Sequence, residues 1–223
     1  SQRTPDASFV RLVNRSVIGT NMLPANQRFL LSLLHSQQVF SSVGEVSPRW
    51  SSSQLVFNTA LVMLLCNCCA NNPGSRHMAQ RILPSPNVFT ILNVKTRKDE
   101  LPVAHQSPYY RLLATVFLTL DEESPQERAR LKQSWMRNDS WWELVSGKII
   151  PHLQLITRNV SESNAMRTDD IVLFREFTFL AVLGTLIAFF KDCFIVSVAA
   201  RNEATVDRLI DLSQALISMT ESL

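Results

Sequence analysis

The chain is 223 residues long, 46% apolar and 18% charged, with a formal net charge of +3. That composition suits a globular protein with a substantial core and excludes a disordered chain, and the small positive charge does not call for nucleic acid. Only five glycines are present, about a third of the usual ~7% share, which disfavours β-sandwiches, Rossmann domains and phosphate-cradling loops and leaves long helices.

Taken in chain order, the start signals and apolar spacing predict helices at 5–18, 25–41, 52–71, 75–83, 86–94, 108–120, 125–138, 140–157, 169–192 and 203–221. Thr4-Pro5 opens the first. Ser-Pro recurs at Ser47-Pro48, Ser85-Pro86, Ser107-Pro108 and Ser124-Pro125, a dipeptide that can set a capping hydroxyl before a proline at the first helical position. Ser124 and Glu127 have the spacing of a reciprocal capping box. The same Ser-Pro pairs also fit the substrate pattern of proline-directed kinases. The polar stretches 94–107 and 159–167 divide the chain into thirds, each too small for a secure core alone, so the expectation is one domain over 1–223. The chain opens on Ser1 with no signal peptide and reads as part of a longer protein.

The segment from Ile171 to Phe190, IVLFREFTFLAVLGTLIAFF, is interrupted by charge only at Arg175 and Glu176. At a 3.6-residue period it is apolar around most of its circumference, which predicts a buried central helix at 169–192 with neighbours on several sides. Phe177 to Phe190 is too short for a membrane span, and Leu55 to Ala70 is short and carries Asn58 and Asn67. The final helix sets Val206, Leu209, Ile210, Ser213, Leu216, Ile217 and Thr220 at three-to-four spacing and its charges elsewhere, so one face packs and one stays wet.

From Ala60 the chain runs ALVMLLCNCCANNPGSRHMAQRILPSPNVFTILN. Leu61, Leu64 and Leu65 sit at helical spacing, Asn67 lies between Cys66 and Cys68, Asn71-Asn72-Pro73-Gly74 breaks the helix, and Ala79, Ile82, Val88, Ile91 and Leu92 follow. This segment resembles the last helix of an armadillo-type repeat passing into the next repeat. The resemblance covers about a sixth of the chain and implies an all-α, irregular armadillo- or HEAT-like stack of roughly 8–10 helices. It also implies that an asparagine in the place of Asn67 can hydrogen-bond the backbone of an extended partner peptide. A second likeness lies in Leu183 to Phe190, which resembles the end of the first homology motif of Bcl-2 proteins. Leu183 and Thr185 stand where that motif has tryptophan and arginine.

The four histidines, His35, His77, His105 and His152, lack a nucleophile elbow or any other catalytic signature. Cys66 and Cys69 are one helical turn apart and could chelate zinc with His77 only if further ligands arrived, so core thiols are the simpler reading. The unspaced cysteines point to a reducing, intracellular compartment, although Asn14, Asn138 and Asn159 head glycosylation triplets. Acids at Asp121–Glu123 and Asp169–Asp170 suit helix starts. Trp135, Trp141 and Trp142 with Arg137 have the composition of an interface anchor, and core packing explains the tryptophans equally well. The expectation is therefore a non-enzymatic interaction or scaffold domain, without cofactor or metal, binding a partner peptide or helix through Asn67 and the Trp135, Arg137, Trp141, Trp142 group. A Bcl-2-like bundle with a helix-binding groove, or an enzyme or regulatory module with a dispersed site, are the alternatives.

Overall fold

The computed structural model describes residues 52–70, 72–94, 101–121, 123–161 and 174–222, and every regular element among them is helical. The protein is all-α over these residues. The helices expected at 5–18 and 25–41, the acids Asp169–Asp170 and part of the polar stretch 94–107 lie outside the described residues. The chain forms two compact units, Ser1–Phe117 and Leu118–Leu223.

In the first unit, α1 (Ser52–Cys69) packs against α2 (Pro73–Ile82) and α4 (Val103–Leu112), and α3 (Ser85–Leu92) packs against α4. Asn72, not a residue near 75, opens α2: its side-chain oxygen accepts from the Ser75 amide at 3.1 Å. Leu61, Leu64, Leu65, Val88, Phe89, Tyr109 and Leu112 fill the interior. Two polar bonds fix α1 to α4: the Thr59 hydroxyl lies 2.7 Å from His105 Nδ1, and the Cys66 thiol donates to the Pro108 carbonyl at 3.8 Å. The helix expected to start at Ser107-Pro108 begins instead at Val103, so Pro108 lies inside it. Proline fits both the first turn and, with one hydrogen bond missing, a helix interior; the dipeptide alone does not separate these. Leu113–Leu118 continues α4 as a π-helical turn.

The second unit begins with α5 (Pro125–Met136). Ser124 caps it as expected, accepting from the Glu127 amide at 3.3 Å, but the reciprocal half of the box is not made. The Glu127 carboxylate instead takes the Arg130 guanidinium, with Nε to Oε1 at 3.1 Å. Asn138 caps α6 (Asp139–Leu144), which runs through π-helical Val145–Ile149 into α7 (Ile150–Ser161). After 174–176, π-helical Phe177–Val182, α8 (Leu183–Ala188) and π-helical Phe189–Cys193 form one continuous rod, its junction residues Leu183 and Phe189 both in the right-handed helical region. A short α9 (Val196–Ala199) precedes α10 (Glu203–Ser222), which Asn202 opens by accepting from the Thr205 amide at 3.2 Å. α10 lies along α7, and α5 lies against the end of the rod.

Candidate functional site

The rod from 174 to 193 departs from expectation in its winding. The i→i+5 bonding of its two π turns widens them, and the average period over the rod rises from 3.6 toward 4 residues. The consequence is a clean division of side chains. Phe177, Thr178, Ala181, Val182, Thr185, Leu186, Phe189 and Cys193 recur at four-residue spacing and are buried. Buried Thr178 and Thr185 donate to the carbonyls of Phe174 and Ala181, each at 2.7 Å, so neither hydroxyl is stranded in the core. The intervening positions face out: Phe179 is 43%, Leu180 73%, Ile187 66% and Phe190 37% exposed. The prediction of a helix buried on several sides therefore holds for one face only. The other is an apolar stripe with Leu183 and Gly184 at its middle, where a Cβ on Gly184 would meet nothing within 4 Å. Exposed Arg175 and Glu176 close one end and Lys191 the other.

The tryptophans expected at an interface are core residues of the second unit. Trp135, Trp141 and Trp142 are 7%, 0% and 2% exposed. Trp141 stacks on Phe189 with ring centroids 4.5 Å apart, Trp142 meets the same ring edge-on at 5.7 Å, and Trp135 meets Trp141 edge-on at 6.4 Å. Trp142 Nε1 donates to the Met136 carbonyl at 2.9 Å, whereas Trp141 Nε1 has no acceptor among the described residues. Core packing thus replaces the surface-anchor reading for these three indoles. Arg137 is exposed at the C-terminus of α5, and Asn67 is half-buried on α1.

The His152 imidazole and the four thiols are held away from reactivity by burial. His152, on α7, lies 2.9 Å from the Thr178 hydroxyl, between the rings of Phe174 and Phe177. Because Thr178 donates its only proton to Phe174, its oxygen can only accept, so His152 carries its proton on Nε2. Burial pushes this imidazole down to about 4. Burial also pushes Cys69 and Cys193 up to about 12, and raises Cys66 and Cys68. All four thiols are free, and among the described residues no three His, Cys, Asp or Glu side chains converge as metal ligands. Likewise, no helix among them is long and apolar enough to cross a membrane.

The fold defines an all-α protein whose most unusual exposed feature is an apolar stripe on a π-wound rod. No family model matches the chain, and neither a curated protein nor a solved structure matches it.

Proposed function

We propose that this chain is a non-enzymatic interaction domain whose second unit docks a partner α-helix along the outward stripe of the 174–193 rod. The observation carrying this reading is the exposure of Leu180 and Ile187, at 73% and 66%, on the side of the rod opposite the buried residues, with Phe179 at 43% beside them. An outward row in which Phe179, Leu183 and Ile187 follow at four-residue spacing, with Leu180 and Gly184 alongside, is the shape that packs against another helix. A contiguous exposed apolar patch rimmed by charge is the kind of surface at which proteins bind one another. The chemistry supports binding over catalysis: the buried imidazole of His152 is kept neutral by its surroundings, and the thiols are kept protonated. For the first unit, the armadillo-like reading rests on α1, α2 and α3 following one another across the Asn72–Gly74 break, with Asn67 as the group that would hold an extended peptide backbone.

The test is site-specific photo-crosslinking in cells from a photoreactive residue replacing Ile187, with Ile210 on α10 as the control position. A protein adduct at 187 that disappears on adding Leu180→Asp is expected. Equal adducts with and without Leu180→Asp would refute the docking face.

A further inference from the structure

We infer that the helix this stripe accepts is the same stripe of a second copy, laid antiparallel across a two-fold axis between Leu183 and Gly184. The inference rests on the helix-docking reading above and adds the identity of the partner.

Charge placement selects this occupant. Reading outward from the point between Leu183 and Gly184, an antiparallel pair sets Leu183 of one copy against Gly184 of the other, Leu180 against Ile187, Glu176 against Lys191 and Arg175 against Asp192. Both charged pairings are of opposite sign, and the one between exposed side chains is Glu176 with Lys191, since the Asp192 side chain is only 12% exposed. A parallel pair in register would instead set each charge against its own copy. The apolar pairings are complementary in size as well: the branched Leu183 meets a glycine beside which there is open space, and the two most exposed apolar side chains, Leu180 and Ile187, cover each other. An isologous contact of this kind requires a surface that complements itself under a two-fold rotation, and the stripe meets that condition at the pairs 183/184, 180/187 and 176/191, which favours a second copy as the occupant.

The charged ends remain available to a partner. The Lys191 side chain is 62% exposed and holds Asp121 at 3.4 Å and Asp192 at 3.8 Å. Exposed pairs of this kind are weak and easily shared, so Lys191 can take a further carboxylate from Glu176 of another copy. The contact is about 20 Å long and one helix wide, well below the ~800 Å2 per partner of a standard interface, so the dimer is a weak, reversible one.

The test is sedimentation equilibrium on the full chain from about 1 μM to 1 mM, with circular dichroism confirming that each variant is folded. Glu176→Lys alone, and Lys191→Glu alone, each reverse two symmetry-related contacts and are expected to weaken self-association by roughly tenfold. Mixing the two variants rebuilds both pairs in a heterodimer and is expected to restore the wild-type constant. Leu180→Asp is expected to abolish association. A chain monomeric at every concentration, a dimer indifferent to Leu180→Asp, or variants that fail to rescue one another would each overturn the inference. If the chain is monomeric while the crosslink at position 187 still depends on Leu180, self-pairing fails and the helix-docking reading stands.

Discussion

Consider acid titration of His152. The group is enclosed by Phe174 and Phe177 and donates to Thr178, and its folded-state value lies near 4 against an unfolded value of ~6.5. Between those limits the unfolded chain binds the proton and the folded chain does not, so stability rises with pH across the window and is lost as the solution is acidified. The loss attributable to His152 is about 2 kcal/mol at pH 5 and about 3 kcal/mol at pH 4, relative to neutral pH. For a chain of this size, that corresponds to a fall in melting temperature of about 6–12 °C from pH 7 to pH 4. The perturbation is His152→Leu, which removes the titration while Thr178 keeps its bond to Phe174. The assay is thermal melting by circular dichroism across pH 4–7.5, read as the difference between wild type and variant so that carboxylate titrations common to both cancel. Between pH 7 and pH 4 the wild-type curve should fall by about 6–12 °C relative to the variant's. Curves that stay parallel from pH 7 to pH 4 would show that His152 is not held neutral, and the burial argument would be wrong.

Other outcomes follow from the same geometry. Trp142→Phe is expected to cost about 2–3 kcal/mol in denaturant unfolding, because it leaves the Met136 carbonyl without its donor, while Trp141→Phe costs about 1 kcal/mol less, because its N–H has no acceptor to lose. Equal costs would count against that ranking. Asn138→Ala removes the cap of α6 and should cost about 1 kcal/mol, with Asn138→Ser recovering most of it. In thiol labelling at pH 8, Cys68, half-buried, should react first and the buried Cys66, Cys69 and Cys193 only on the timescale of unfolding. Early labelling of Cys193 would contradict its placement against the Leu118 carbonyl at 3.4 Å.

Much of the helical layout was legible because helix starts are written in local chemistry. Ser124 and Asn202 cap where their side chains can reach the amide three residues on, a relation that depends on spacing alone. Ser107-Pro108 misled because the preference of proline for a first turn gave way to the packing of a helix whose Pro108, Tyr109, Tyr110 and Leu112 are all buried. Glu127 could not be assigned to its capping partner because Arg130, one turn further, competes for the same carboxylate. The tryptophans exposed a different limit: composition at a helix junction is the same for a core and for an interface, and only the Phe189 ring, roughly 50 residues away in sequence, decides which it is. The stripe was hidden by an assumed period of 3.6. At that winding the apolar residues of 174–193 spread around the helix, and only the π turns gather them onto opposite sides.

Those π turns give the rod a slack in chain length that a plain α-helix lacks. Each is equivalent to one residue inserted into an α-helix, and removing a single residue from Phe177–Val182 would let the turn relax to α geometry. Everything beyond would keep its facing, because the π turn has already taken up the ~100° that one extra residue adds to an α-helix. Phe189 would still meet Trp141. The same deletion inside α-helical Leu183–Ala188 has no such slack, and there a one-codon loss would exchange the inside of the unit for its outside.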